Sequence, residues 1–482
     1  MHTELIFSFV IYLIFILTIG LVASYRNKIV TARGKHSADF LLGGRSTHWF
    51  LTALSAHAAD MSDWLFMAFP AAVYITGGYA LWIPVGLLCG MFASWHFVAA
   101  RLRTESEKYN GVTFGSFLSN RFSDKSGILS LVAAFISLFF LLIYIAAGLK
   151  GMGFVLKSIF YIDYHLGIVI AMAVVALYTS LGGFSSVAIL DLFQGLFLLF
   201  MILFVPVYAY FQVGGWSTIA DAAAFRGVSL ALLPSFGMHH IMAIILDPLA
   251  WGLGYFGMPH ILTKFMGTKD AAELHKAKYV GMVWQLLALS GAALVGIVGL
   301  AYFVHGVPGK TEFIFIAMAQ NLFVSWLAGI VVCAVVAATI STIDTQMLVV
   351  AGIITQDFYH LFFNKSASTK ELLVIYRGAL IAAAVVGTMI AWYEESTIMA
   401  LVKYGWGGLG ASFGPIILLA LYAKNINRYG ALAGMIVGCL TSLVWTFIAP
   451  FITTMTIYMV PAFTLSLVSA HLVSWLTRGK NG

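Results

Sequence analysis

Apolar residues run through this chain in blocks of about 20 or more, separated by short polar loops, and a block of that length crosses the hydrocarbon core of a bilayer as a helix. Read with that ruler, the chain predicts thirteen spans, over 4–25, 47–76, 79–100, 127–160, 165–184, 186–211, 232–262, 277–305, 322–359, 372–392, 397–423, 428–448 and 453–477. The first block is too long for a signal-peptide core. It has no Lys or Arg before it and ends at Tyr25-Arg26-Asn27-Lys28 without a small-residue cleavage site, so it is expected to remain as a helix. The pattern predicts an all-α polytopic membrane protein.

Composition agrees with the pattern. Of 482 residues, 61% are hydrophobic and 9% charged, against about 25% charged in a soluble domain, which excludes a soluble monomer. The net charge of +7 sits in short loops without basic arms, so it points to no nucleic-acid partner. Alternate loops sort by charge instead: Arg26 to Arg45, Arg101 to Lys125, Lys264 to Lys278, Lys365 to Arg377, Lys424 and Arg428, and Arg478 and Lys480 carry 21 of the 26 basic residues. The opposite loops hold Arg226 and Lys310. By the positive-inside rule the amino terminus is expected outside and the carboxyl terminus inside the cytoplasmic membrane. Cys89, Cys333 and Cys439 all lie in apolar segments, which leaves neither a disulfide framework nor a Cys-x-x-Cys site.

Polar residues inside such spans are informative, because one Asp at a helix centre costs about 2.5–3.5 kcal/mol. Asp60, Asp63, Asp191, Asp247 and Asp344 lie in or beside the spans and are expected to face an interior. The second span carries Ser55-Ala56-His57-Ala58-Ala59-Asp60-Met61-Ser62-Asp63-Trp64 at mid-depth, and the seventh is punctuated by Asp247-Pro248, Gly252, Gly254, Gly257 and Pro259. Interrupted helices in corresponding halves mark a transporter site, where freed carbonyls and helix ends bind ions and solute. The halves would be spans two to six (46–211) and seven to eleven (232–423), with 4–25 extra and 428–477 forming two final helices. In the ninth span Ala338, Ser341, Thr342 and Thr345 share one helix face, a row of oxygens suited to a hard cation. Such residues also serve simple helix packing. If the sixth span starts near Ser186, Asp191 lies about 7 Å in, at the depth of Ser341 to Thr345.

At these residues the chain resembles the sodium/solute symporter family, and within it the sodium/proline symporters. The matching stretches are Phe40-Leu41-Leu42-Gly43-Gly44-Arg45-Ser46, Ser55 to Trp64, Gly182-Gly183 with Asp191 and Gln194, Trp251 to Leu262, and Ala337 to Gln346. The resemblance implies an inverted five-helix-repeat core like that of leucine-transporter-type proteins, and sodium-driven import of a small solute, proline or a related amino acid, by alternating access. It implies a sodium site of backbone oxygens from Ala58, Met61 and Ala338 with the hydroxyls of Ser341 and Thr342, supported by Asp60. Ser62, Asp63, Trp251, Tyr255 and Met258 would face solute. Some relatives carry a second cation site, whose position here would be Asp191, Ser341, Asp344 and Thr345. The expected partners are solute, sodium ions and membrane lipid, and a monomer suffices.

The chain departs from the proline pattern at Asp63 (usually Gly), Met258 (usually Gln), Asp344 (usually Ser) and at Lys150 and Lys403, usually uncharged. Asp63 has two readings, a partner for a solute's ammonium or an internal salt bridge to Lys150 or Lys403. Asp344 likewise completes a cation site, or it pairs with a Lys or stays protonated. A sugar, a betaine or a cationic compound remains an alternative solute, and a proton-coupled symporter switched by His57, Asp63 or Lys150 an alternative mechanism. His57 also reads as a neutral imidazole bonded to a neighbouring carbonyl. Gly410-Ala411-Ser412-Phe413-Gly414 fits the G-x-S-x-G elbow but lacks its strand-turn-helix context. No H-E-x-x-H or Walker loop occurs, so the chain reads as no enzyme.

Overall fold

Backbone N–H and C=O groups in lipid must be satisfied within the protein, and this chain does so with helices almost throughout. A computed structural model of the protein describes residues 2–31, 41–233, 238–393, 395–448 and 458–478. Arg33, Lys35, Phe40, Lys480 and the start of the predicted span 453–477 lie outside the described residues. Among those described, the only β-type pairing is an isolated bridge between Thr47 and Thr268.

The helices, in chain order, begin with α1 (His2–Thr31), α2 (Trp49–Met61), α3 (Ala68–Thr76), α4 (Trp82–Ala93), α5 (Ala100–Lys108) and α6 (Phe114–Arg121). Next come α7 (Ile128–Phe160), α8 (Tyr164–Gln212), α9 (Trp216–Phe225), α10 (Met238–Gly254), α11 (Pro259–Met266) and α12 (Leu274–Tyr302). The chain closes with α13 (Ile314–Leu322), α14 (Ser325–Ile353), α15 (Thr369–Ala391), α16 (Ile398–Tyr422), α17 (Arg428–Ile448) and α18 (Met459–Leu476).

Among the described residues nine helices are long and apolar enough to cross a membrane, with two shorter apolar helices at Glu4–Gly20 and Tyr164–Ser180. The difference from thirteen has a physical origin. The predicted spans 47–76 and 232–262 are the two that the chain interrupts, at Ser62 and between Gly254 and Pro259. α8 runs through two predicted spans and bends at Gly183, whose φ of 62° and ψ of −175° leave the helical region. Asp247-Pro248 does not stop α10, which continues to Gly254.

Burial sets the arrangement. The apolar windows of α14 and α16 are 83% and 89% buried, against 33% for those of α15, α17 and α18, so α14 and α16 lie at the centre and those three at the rim. Large side chains such as Phe7 of α1, Phe211 of α8 and Phe447 of α17 project outward, as lipid-facing residues do. Close helix crossings use small residues, as in other membrane bundles. A Cβ on Gly86 would lie 2.0 Å from the Pro248 carbonyl oxygen, and one on Gly90 2.2 Å from that of Gly252. Backbone therefore meets backbone where α4 crosses α10. Gly90→Val is expected to destabilise the protein by about 1–3 kcal/mol, read as a lowered melting temperature in detergent. Gly378→Val, where a Cβ meets nothing within 4 Å, should leave it unchanged.

Candidate functional site

α2 ends at Met61 because Ser62 turns to φ 43° and ψ −165°, a left-handed excursion that costs a non-glycine residue about 1–3 kcal/mol. In an unbroken helix the Ser62 N–H would bond the Ala58 carbonyl. Instead it donates to Thr342 Oγ1 at 3.1 Å. The Ala58 carbonyl is left to accept from Ser341 Oγ at 2.8 Å, and Ser341 Oγ also lies 3.0 Å from the Ala338 carbonyl. Thr342 Oγ1 donates to the same Ala338 oxygen at 3.1 Å. Ala58, Ala338, Ser341 and Thr342 thus bring four oxygens to one place between α2 and α14. Met61, buried, is the last residue before the break. Hydroxyl hydrogens rotate freely, so the two side-chain oxygens present lone pairs to a cation without moving their heavy atoms. The set is all oxygen and neutral, two carbonyls and two hydroxyls, which fits sodium.

The second break follows Gly254. Short i→i+3 bonds close the end of α10, from Tyr255 N to the Gly252 carbonyl (3.3 Å), Phe256 N to that of Leu253 (3.3 Å) and Gly257 N to that of Gly254 (2.9 Å). Side chains satisfy carbonyls the helix releases: Trp406 Nε1 donates to the Trp251 oxygen at 3.1 Å and Ser94 Oγ to that of Tyr255 at 3.2 Å. Pro259, which needs no N–H partner, opens α11 with buried Met258 as its cap residue. One bond joins the two breaks: Tyr255 Oη donates to Asp60 Oδ2 at 2.6 Å while accepting from Gln285 Nε2 at 3.0 Å. Trp251 lies against Trp64, ring centroids 5.4 Å apart, and Tyr255 stands edge-on to Trp406 at 4.9 Å.

Asp63 follows the first break and is fully buried. Among the described residues neither of its oxygens has a hydrogen-bond partner, nor has the neighbouring Trp64 Nε1. Of the two readings of Asp63, the internal salt bridge to Lys150 or Lys403 is not formed among the described residues. Lys150 turns instead to the Tyr393 carbonyl and to Ser396, whose carbonyl and hydroxyl lie 2.9 and 2.7 Å away, and Lys403 has Asp247 as its electrostatic neighbour.

The acids of the possible second site are buried but not open. Asp191 Oδ2 accepts from Ser55 Oγ at 2.5 Å and is 2.8 Å from Lys264 Nζ. Asp344 accepts from Tyr178 Oη at 2.7 Å and from Thr345 Oγ1 at 3.3 Å. Lys264, which the sequence pattern placed in a basic loop, is 2% exposed inside the bundle. Sequence reasoning also passed over Gln285, Tyr178 and Asp357. Asp357 is buried and bonded to Thr113 Oγ1 (2.7 Å) and Ser130 Oγ (3.0 Å). Gln285 was open to the rule used for the acids, since a polar side chain in a lipid-spanning helix needs a partner.

The remaining motifs fall away from this chemistry. His57 accepts from Trp95 Nε1 at 3.2 Å and stacks on that ring, so its partner is an indole rather than a carbonyl. Gly410 to Gly414 lie inside α16, with Ser412 Oγ bonded to the Gly408 carbonyl at 2.7 Å. Their smallness has a use: a Cβ on Gly257 would be 2.9 Å from the Gly410 Cα and 2.7 Å from the Gly414 nitrogen, so this stretch admits the second break. The three cysteines are free.

Comparison with known proteins places these features. The family model for the sodium:solute symporter family matches residues 40–438. The High-affinity proline transporter PutP of Bacillus subtilis (strain 168) is 40% identical over 449 residues, 92% of this chain and 94% of the relative. The Sodium/proline symporter of Escherichia coli (strain K12) is 37% identical over 450 residues, covering 92% and 88%. Among solved structures, a Na+-coupled sialic acid symporter in a substrate-bound outward-open state superposes with a TM-score of 0.83 at 18% identity, over 98% of both chains. That likeness shows the fold. Thr342→Val is expected to leave the Ser62 N–H without its acceptor at a cost of about 1–3 kcal/mol, read as a lower melting temperature that Thr342→Ser restores.

Proposed function

The chain belongs to the sodium:solute symporter family, and from that membership and the oxygens gathered at the Ser62 break we propose that it imports proline or a closely related amino acid by sodium-coupled alternating access in the cell membrane. The observation that carries the reading is the exchange of partners between Ser62, Ala58, Ser341 and Thr342, which draws helix carbonyls and hydroxyls into one cation-sized cluster. Sodium binds to Ala58, Met61, Ala338, Ser341 and Thr342, and Asp60 supports it through the segment they share. The expected inverted repeat, 46–211 and 232–423, places one broken helix in each half. The basic loops face the cytoplasm, with the amino terminus outside.

Solute lies beside the two breaks, among Ser62, Asp63, Trp251, Tyr255 and Met258. Asp63 supports this assignment best, because a buried carboxylate with no ion-pair partner among the described residues gains most from a cationic group at close range. The nitrogen of an amino acid supplies one, and the Trp64 N–H beside it suits the solute's carboxylate. The broken ends of α2 and α10 add backbone groups already free of helical partners.

The driving force suffices. A potential of about 100 mV contributes ~2.3 kcal/mol per charge and a tenfold sodium gradient ~1.4 kcal/mol, so one sodium ion sustains roughly 500-fold accumulation of a zwitterion.

Two measurements test the reading. Purified protein in liposomes should take up labelled proline when sodium is high outside and the interior negative, and not when potassium replaces sodium; pH-driven uptake indifferent to sodium would refute it. Ser341→Ala should raise the sodium concentration for half-maximal uptake by about tenfold, about 1.4 kcal/mol. Asp63→Asn should instead raise the solute concentration for half-maximal uptake by about tenfold, with the sodium dependence nearly unchanged.

A further inference from the structure

Of the acids in or beside the spans, Asp191 is ion-paired at 2.8 Å with a buried basic side chain, that of Lys264. Lys264, in the last turn of α11, directs its Nζ at Asp191 Oδ2, and both side chains are sealed from solvent. The ammonium also lies 5.3 Å from the centroid of the Phe184 ring. Asp191 belongs to α8, Ser55 on the same oxygen to α2, and Lys264 to α11, so a single carboxylate holds three elements. Asp344, from α14, feels the charges of both Asp191 and Lys264 and is oriented by Tyr178 and Thr345. A mostly apolar cavity, to which Thr113, Phe184, Thr263 and Thr345 contribute, lies beside the cluster.

Two carboxylates close together in a low dielectric need a cation between or beside them. A dissociable ion meets that need only at its ambient concentration. An ammonium on a lysine stem is always at hand, and the advantage of a tethered partner is one of effective concentration. Asp191, Asp344 and Thr345 therefore do not form an open sodium site in this chain, because the chain brings its own cation to the acids.

We propose that Lys264 is a tethered cation standing in the place a second sodium ion would otherwise take, so that removing its charge converts Asp191, Asp344 and Thr345 into an additional sodium site. The inference rests on the sodium-symport reading above for its physiological meaning: coupling then runs through the site at the Ser62 break alone, one sodium per solute. Its structural core concerns the count of ions bound and is tested separately.

The test is equilibrium binding of radioactive sodium to the full-length protein in liposomes, compared between wild type, K264M, K264R and K264M/D191N. K264M should bind one sodium more than wild type, and the sodium dependence of proline uptake should steepen from a Hill coefficient of about one to about two. K264R, which keeps the charge, and K264M/D191N, which removes the acid that held it, should both match the wild-type count. An unchanged count in folded K264M overturns the proposal, as does a wild type that already binds two. Should K264M not insert, K264M/D344N keeps Asp191 with one fewer uncompensated charge and should also gain one sodium; a wild-type count there is equally fatal. A wild type that binds no sodium defeats the symport reading, while the difference between K264M and wild type still decides the role of Lys264.

Discussion

The molecule turns on one exchanged hydrogen bond. Ser62 N–H leaves its own helix for Thr342 Oγ1, and the carbonyl it abandons, that of Ala58, is taken up by Ser341. In water such an exchange would be nearly neutral, since solvent would satisfy either group. Inside a bilayer an unpaired peptide group costs several kcal/mol, so α2 can be broken only where another element supplies a donor and an acceptor at the right height. α14 does this with consecutive hydroxyl residues, and its enclosed position, with 83% of its apolar window buried, keeps them there. The break, the oxygens it frees and the docking of α2 on α14 are one feature.

Charge is distributed by the same accounting. Arg45 is presented by a turn in which Gly43, Gly44 and Arg45 all have positive φ, and its guanidinium donates to the carbonyls of Met266 (2.8 Å) and Gly111 (2.7 Å). The Met266 carbonyl ends α11, where the helix dipole favours a cation. Arg103 reaches the neighbouring Thr268 and Lys269 carbonyls. Lys264 is held within the same short helix by Asp191. α11 is thus fastened by three cations, while Asp63, at the other end of the site, is given none by the chain. That asymmetry separates a group with a structural partner from one left for a transported partner.

How much of this was legible in the sequence follows from what lipid makes conspicuous. Long apolar blocks, five intramembrane acids and the stripe at Ala338, Ser341, Thr342 and Thr345 stand out because each is unusual at membrane depth. The interruption in 47–76 was readable from small and acidic residues around Ser62. The place of the second break was not, because Pro248 and Pro259 are equal signals locally and only packing decides between them: Gly86 closes on an intact α10 at Pro248, and Gly410 and Gly414 leave room at Gly257. Lys264 was misplaced because it lies two residues past the predicted end of its span, where a lysine ordinarily marks a loop. Tyr178 and Gln285 escaped notice because uncharged residues carry little penalty until their partners are known. Periodicity gave the oxygen face; the individual ligand set came from the family resemblance.

The two breaks are also tied to each other, and this bears on how ion and solute are coupled. Tyr255, the first residue beyond α10, donates to Asp60, one residue from the end of α2, and Gln285 from α12 fixes the same hydroxyl. Displacement of either broken end must stretch or break that 2.6 Å bond, so the ends respond together. The proposed sodium ligands Ala58 and Met61 and the proposed solute ligands Ser62 and Asp63 are consecutive turns of one short segment. Coupling between two such sites requires only that each ligand favour the same conformation of that segment, with no longer pathway through the bundle. A cation that fixes the Ala58 and Met61 carbonyls selects the broken form of α2, and the broken form is the one that buries Asp63 and lays Trp64 against Trp251. The energetic link between ion and solute is then the backbone between Ala58 and Asp63, held open by Thr342.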